Sequence, residues 1–493
     1  MARQNQKNQA KNRDRHRSRH QQANAQKSGA RNVQRNSKPV PQELVIATIE
    51  KLSHDGRGIA RVEGKTTFVD GGLAGESVEF RYVKCHGRYD EAIVVRVLEP
   101  SNERVATPCQ HANVCGGCSL QHLSTEAQVS LKQSVLVEQL THFGDLKPEH
   151  IVEPITGSSV GYRRKARFAI KHESDGTCIV GYRAKSSARV VPITHCTVLD
   201  ESLNNLIPEL QVLVSGLQKS TVISHIDLTQ GDSVTVLTFR HLKPLTNSDL
   251  QSLLVFCQQH QFHLYLQPDS ATSIHRVWPD NDNEQLSYSF ERSDFQTPVE
   301  GMIGSEKESG SIDIQFNPND FIQVNGGNNR KLVAQAIDFL DLNGSDRVLD
   351  LFCGIGNFTL PMATLSSKVV GVEGSDHMVA RAKQNASNNA LSNIEFHSAD
   401  LTQTLDNHPW SFDGFTKILI DPPRAGAFDI IKNISHFSPE KIVYVSCNPA
   451  TLARDAGELV QQGYKMMSVG VVDMFPHTTH VESIALFQRI QRK

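Results

Sequence analysis

The stretch Arg347-Val348-Leu349-Asp350-Leu351-Phe352-Cys353-Gly354-Ile355-Gly356-Asn357 decides how the carboxyl-terminal part of this chain folds. Its apolar first half reads as a strand, and the small residues after Phe352 read as a turn into a helix beginning near Asn357. Glycines at such a turn let backbone approach a bound nucleoside closely. Thr359 stands where a dinucleotide fingerprint would carry its third glycine, which disfavours a pyrophosphate ligand. A second strand, Lys368 to Val372, ends at Glu373, placed to accept two ribose hydroxyls, and a third ends at Asp400. From Asp313 onward strands and helices alternate in the manner of an α/β domain.

Further along, Ile442 to Val445 forms another apolar run and delivers Cys447 to the polar turn Ser446-Cys447-Asn448-Pro449. A thiol presented in this way is a candidate nucleophile. Asp421-Pro422-Pro423-Arg424 lies upstream, and Glu482 lies downstream in His480-Val481-Glu482-Ser483. Nucleophile, nucleoside-type turn and carboxylate within one segment point to an enzyme. The strand-turn-acid order resembles that of S-adenosylmethionine-dependent methyltransferases.

At 493 residues the chain has length for about three domains. No apolar run approaches the roughly 18 residues of a membrane helix, and the polar amino terminus has no apolar h-region. A cytoplasmic protein with no membrane partner is expected. The nine cysteines are too few and too uneven for a secreted disulfide framework. Net charge is −2, but residues 1–38 carry eleven Lys/Arg against the single acid Asp14, leaving the remainder at −12. The segment 1–40 therefore reads as a disordered basic tail attracted to nucleic-acid phosphates.

Residues 41–100 read as a small barrel of the oligonucleotide-binding kind, five short strands separated by turns such as His54-Asp55-Gly56. Arg57, Arg61, Arg81, Lys84, Arg88 and Arg96 offer it a phosphate-facing surface. Residues 101–312 form a central α+β region, and 313–493 the catalytic domain. Within the centre, Ser124 to Phe143 has helical spacing. Tyr162-Arg163-Arg164-Lys165-Ala166-Arg167-Phe168 interleaves aromatic and basic residues, a pattern suited to backbone contact and base stacking or to a charged strand edge. The polar stretch from about 291 to 311 reads as a linker or inserted loop.

Cys109, Cys115 and Cys118 fall within ten residues, with Gly116-Gly117 letting the backbone fold around a ligand. A fourth thiolate must come from elsewhere, and Cys196 is the best candidate. Four thiolates suit zinc or an iron–sulfur cluster, and spacing does not choose between them.

Taken together the chain resembles the RNA uracil-C5 methyltransferases, from about residue 40 to its carboxyl terminus. The resemblance rests on Phe321-Ile-Gln323-Val-Asn325, Asp350 to Asn357, Asp421-Pro-Pro-Arg-Ala-Gly426, Val445-Ser-Cys-Asn-Pro449 and Asp473-Met-Phe-Pro476. A TRAM-like RNA-binding barrel joined to a cysteine cluster is similar to the branch of the family that acts on 23S rRNA. The resemblance implies a multidomain α/β protein with a TRAM barrel, an iron–sulfur domain and a Rossmann-like catalytic domain; separately, a monomer that acts on 23S rRNA is expected. It implies a [4Fe-4S] cluster on Cys109, Cys115, Cys118 and Cys196. It further implies S-adenosyl-L-methionine contacts from Gln323, Phe352, Asn357, Glu373, Asp400 and Asp421, and a helix after the cysteines that packs on the catalytic domain.

Uracil C5 is too weak a nucleophile to take a methyl group unaided. A thiolate adding at C6 would activate it, and a base must later remove the C5 proton. Cys447 and Glu482 are the candidates for these roles. Rival readings are a tRNA uracil-C5 methyltransferase and a non-catalytic RNA-binding or ribosome-assembly factor.

Overall fold

A computed structural model describes residues 40–280, 284–295, 310–403 and 408–490. The basic tail and most of the polar 291–311 stretch lie outside the described residues.

The amino-terminal strands are β1 (Val45–Thr48), β2 (Lys51–Leu52), β3 (Gly58–Val62), β4 (Lys65–Asp70), β5 (Ser77–Cys85) and β6 (Tyr89–Glu99). They form one sheet in the order β1-β5-β6-β4-β3-β2. Because β1 and β2 are two halves of nearly continuous chain, their pairing with opposite edges closes the sheet on itself, so the barrel has no open edge. Alternation along the strands points Val78 and Phe80 inward to join Ile49, Ala60, Val69 and Ala92.

A 20-residue helix follows, α1 (Thr125–Gly144), capped by the Ser124 hydroxyl accepting from Ala127 N. After the two-residue strand β7 (His150–Ile151) come β8 (Lys165–His172), β9 (Cys178–Arg183), β10 (Val190–Pro192), β11 (Ile223–Gln230), β12 (Thr235–His241), β13 (His263–Gln267) and β14 (His275–Trp278). Strands β8 to β14 make a seven-stranded central sheet, with helices Leu206–Ser215 and Asn247–Gln259 completing its core. Two further strands, β15 (Ser287–Glu291) and β16 (Ser311–Gln315), pair antiparallel.

The last domain opens with α2 (Gly326–Leu340) and contains β17 (Arg347–Leu351), β18 (Lys368–Glu373), β19 (Ile394–Ser398), β20 (Lys417–Ile420), β21 (Lys441–Ser446), helix α3 (Pro449–Gln461), β22 (Tyr464–Val472) and β23 (Glu482–Arg489). The sheet runs β19-β18-β17-β20-β21-β23-β22-β7. Strands β17 to β21 are parallel, and β17, β18, β20 and β21 are buried as near-continuous apolar runs, while β23 is antiparallel to both its neighbours. The order reverses between β17 and β20, so ligands are expected above the carboxyl ends of those strands.

This sheet recruits residues from far upstream. Strand β7 adds to its edge, parallel to β22. Val135, Leu136 and Leu140 of α1 share a core with Leu452, Ala453, Ala456 and Leu459 of α3. Gly144 closes that contact, because a Cβ there would lie 2.8 Å from the Ala453 carbonyl oxygen. Among the described residues no helix is long and apolar enough to cross a membrane.

Candidate active site and cofactor turn

The cofactor turn is held by backbone geometry. Phe352, Gly354 and Gly356 adopt left-handed φ of 66°, 56° and 99°, a conformation that costs energy for a phenylalanine. The turn is pinned to β18, since Phe352 N and Cys353 N donate to the Val372 carbonyl at 2.9 and 3.1 Å. Gly371 is small by necessity, as a Cβ there would meet the Phe396 ring at 2.7 Å. Glu373 accepts from Gly354 N at 3.2 Å and Ser375 N at 3.1 Å. Its carboxylate is thereby aimed while keeping further acceptor capacity. Thr359 has a task of its own: its hydroxyl donates to the buried Asp350 carboxyl at 2.5 Å. Burial, then the nearby Asp421 and Glu373, pushes Asp350 up to about 8.

The other expected cofactor residues fall around this turn in different states. Asn357 is committed internally, accepting from Tyr288 OH at 2.9 Å and Asn329 Nδ2 at 2.8 Å and donating back to Asn329 Oδ1 at 3.1 Å. It fixes the turn more than it offers a free amide. Asp400 is exposed, and its bonds from Thr402 and Gln403 hold its carboxyl below the usual range. Gln323 is half-buried, two residues before Asn325, which caps α2 by accepting from Asn328 N at 3.1 Å. Asp421 is partly buried, and desolvation raises its carboxyl to about 7.

Strand β21 ends at Ser446, and Cys447 follows it, half-buried. The turn is rigid. Asn448 caps α3 by accepting from Ala450 N at 3.2 Å and ties across to the Arg424 carbonyl at 3.1 Å. Glu482, only 7% exposed, begins the neighbouring strand β23. Burial, then Asp421, lifts Glu482 to about 8, with Arg424 and Lys132 opposing. The Cys447 thiol is also raised, by burial first and then by Glu482 and Asp421. Arg424 acts to steady the thiolate, but its pull is outweighed. Its guanidinium is shared with His480, at 3.2 Å from Nε2.

The cysteine segment docks on the central sheet, where Cys115 bridges to Ala184 and Gly116 N donates to the Arg183 carbonyl at 2.9 Å. All four expected ligands are free thiols. Burial, then the neighbouring Cys196, Cys115 and Cys109, pushes Cys118 up to about 11. As they stand, no three His, Cys, Asp or Glu side chains among the described residues are gathered tightly enough to hold a metal ion. Four thiols within electrostatic reach of one another nonetheless match the donor chemistry of a cluster.

On the barrel, Arg81, Lys84 and Arg88 are exposed, whereas Arg57, Arg61 and Arg96 pair with Asp55, Glu50 and Glu79. The basic run at 163–167 is largely spent on tertiary contacts. Arg164 pairs with Asp232 and Arg167 with Asp227, both at 2.6 Å, and Lys165 donates to the Asp320 carbonyl at 2.7 Å.

Residues not singled out in the sequence include Tyr288, Asn329, Gln128 and Lys132. Asn329 had a local signal, the polar run Asn325-Gly-Gly-Asn328-Asn329 opening a helix. The other three act across long separations and carry no local pattern.

Fold and site together define a class: a doubly wound methyltransferase with a cysteine and a buried carboxyl set beside its cofactor turn. The family model for tRNA (Uracil-5-)-methyltransferase matches residues 308–490, and that for the TRAM domain matches 43–95. The 23S rRNA (uracil(1939)-C(5))-methyltransferase RlmD of Alcanivorax borkumensis is 47% identical, covering 93% of this chain and 100% of the relative. That of Hahella chejuensis is 44% identical, with 93% and 100% covered. Among solved structures, Pyrococcus abyssi tRNA (uracil-54, C5)-methyltransferase in complex with S-adenosyl-L-homocysteine superposes with a TM-score of 0.66. It is 22% identical, with 90% of this chain and 100% of that chain covered, and so speaks to the fold. The chain belongs to the RlmD family of 23S rRNA (uracil(1939)-C(5))-methyltransferases.

Proposed function

We propose that the protein methylates C5 of uridine 1939 in 23S rRNA with S-adenosyl-L-methionine, and that Cys447 and Glu482 carry the chemistry. The observation that carries the residue assignment is the adjacency of this thiol and this buried carboxyl at the end of paired strands β21 and β23. The donor, when bound, supplies an electrophilic sulfonium methyl group. Glu373 receives its ribose hydroxyls, and the turn from Phe352 to Asn357 shapes its pocket, with Gln323, Asp400 and Asp421 around it.

Cys447 adds as thiolate to C6 of the flipped-out uracil, and the ring's C5 gains the electron density to take the methyl group. The thiol proton passes out of the site, and Glu482, raised to about 8, has to be ionised before it can serve as the base. Glu482 then accepts the C5 proton, the C5–C6 double bond re-forms, and the Cys447–C6 bond breaks to return the thiolate.

Cys109, Cys115, Cys118 and Cys196 would hold a [4Fe-4S] cluster, tying the 109–118 segment to the central sheet. Methyl transfer from a sulfonium requires no electron transfer, so the cluster's task is structural or RNA-positioning. We place the functional divisions at 1–40, 41–100, 101–312 and 313–493, with a cytoplasmic monomer as the working form.

The test is oxygen-free purification followed by labelled S-adenosylmethionine with unmodified 23S rRNA and, separately, tRNA. One labelled uridine in 23S rRNA, absent with Cys447→Ala, is the expected result. Label in tRNA alone would overturn the substrate, and label in neither would overturn the enzyme reading.

A further inference from the structure

The loop between β22 and β23, residues 473–481, delivers Glu482, yet it is fastened mostly by groups outside it. Five consecutive carbonyl oxygens each receive an external donor. Asn328 Nδ2 reaches Asp473 O at 2.6 Å and Asn325 Nδ2 reaches Met474 O at 3.4 Å. Lys132 Nζ reaches Phe475 O at 3.0 Å, and Tyr162 OH reaches Pro476 O at 3.1 Å. Ser119 N and Leu120 N, directly after the third clustered cysteine, both donate to His477 O, at 2.9 and 3.0 Å. His477 itself sits at a left-handed φ of 66°, a conformation that persists only where its surroundings over-determine it.

Two side chains of α1 add contacts to the loop's side chains and its His477 N–H as well as to the Phe475 carbonyl. Lys132 is 1% exposed and pairs with the equally buried Asp473 at 2.6 Å. Gln128 is fully buried: its Oε1 accepts from His477 N at 2.7 Å, while its Nε2 faces Leu123 O at 2.9 Å and His477 Nδ1 at 3.2 Å. A buried lysine and glutamine each cost desolvation, and their bonds return that cost only in this geometry. The core packing of α1 on α3 needs neither of them, since it is made by Val135, Leu136 and Leu140.

We propose that Lys132 and Gln128 are positioning residues for the Glu482 carboxyl, acting through the 473–481 loop, so that a helix outside the catalytic domain governs removal of the C5 proton. This rests on the assignment of Glu482 as the base. It makes a specific kinetic demand. Displacing the base leaves thiol addition and methyl transfer intact but stalls elimination, so the methylated uridine stays bonded to Cys447.

The experiment uses the full chain, a 23S rRNA fragment with ordinary uridine, and labelled S-adenosylmethionine, resolved on a denaturing gel. Glu482→Gln is the benchmark and should accumulate labelled protein–RNA adduct. Lys132→Met and Gln128→Leu should do the same, with release slowed about tenfold or more, a part of the factor a positioned base contributes. Because Lys132→Met strands a buried carboxylate, Lys132→Met with Asp473→Asn is the second variant, removing the tether without leaving an unpaired charge. Folding is checked by unchanged calorimetric affinity for S-adenosylmethionine. Benchmark adduct without adduct in the folded double variant and Gln128→Leu would overturn the positioning role. Absence of adduct in Glu482→Gln would overturn the base assignment, and the inference with it.

Discussion

Cys447 and Glu482 lie one residue beyond the last registered pair of two antiparallel strands, Ser446 opposite Ser483, and Ser483 Oγ donates to Ser446 O at 3.2 Å to lock that register. A slip of one residue would turn the carboxyl to the opposite face of the sheet. The two groups are also electrostatically opposed, since ionising either one raises the cost of ionising the other. Order of ionisation is thus part of the site's design.

Cys447→Ala should lower methylation by roughly a thousandfold or more, as loss of a nucleophile does. It should also abolish the covalent complex with 5-fluorouridine-containing RNA. The side chain is half-buried, so the urea midpoint should move little. Adduct formation by the alanine variant would exclude Cys447 as nucleophile.

Glu482 sets a pH dependence. Its carboxyl is raised to about 8 by burial and Asp421, and a base must be ionised, so release of methylated RNA should speed up as pH rises toward 8 and then level. Stability runs the other way. Between the ordinary value of 4.5 and about 8 the native state binds more protons than the unfolded chain. Stability should therefore fall with rising pH across that window. Glu482→Gln should remove the rise in release and lessen the fall in stability, which Asp350 and Asp421 still sustain, and be more stable than the native protein at pH 9; single-turnover release and urea melts across pH would check it.

Glu373→Ala should weaken S-adenosylmethionine binding by about 1.5–3 kcal/mol, the value of hydrogen bonds to a charged acceptor. The loss should extend to S-adenosylhomocysteine, because the ribose is common to both. Titration calorimetry with each ligand is the measurement. A variant that lost affinity for only one of them would place Glu373 away from the ribose.

If the proposed cluster assignment holds, Cys118→Ser should remove iron and sulfide while leaving the Cys447 thiol able to form its 5-fluorouridine adduct, because the two thiols belong to different elements. Metal and sulfide analysis after anaerobic purification is the check. Zinc without sulfide in the native protein would replace the cluster by a structural zinc site.

What the sequence disclosed is what local pattern can carry. The turn at Phe352 to Asn357, the strand leading to Cys447 and the acid of β18 are each written within a dozen residues, and each forms an element at that place. The barrel read as five strands because Val45–Thr48 and Lys51–Leu52 are one stretch of sequence; the break between them is where the chain crosses from one edge to the other. Illegible were features created by distance. Strand β7 is two residues long and acquires its identity only from β22. Nothing near Lys132 announces Asp473, and nothing near Tyr288 announces Asn357.

Helix α1 has one more consequence, for the order in which the protein is made. Its partners Asp473 and His477 are more than 340 residues further along the chain. A nascent polypeptide emerges amino terminus first, so Lys132 and Gln128 leave the ribosome long before their partners in the 473–481 loop exist. The active site is the last part of the molecule to be assembled, and a chain stopped short of its final two strands is left with a buried lysine that has no carboxylate to meet and no base to offer.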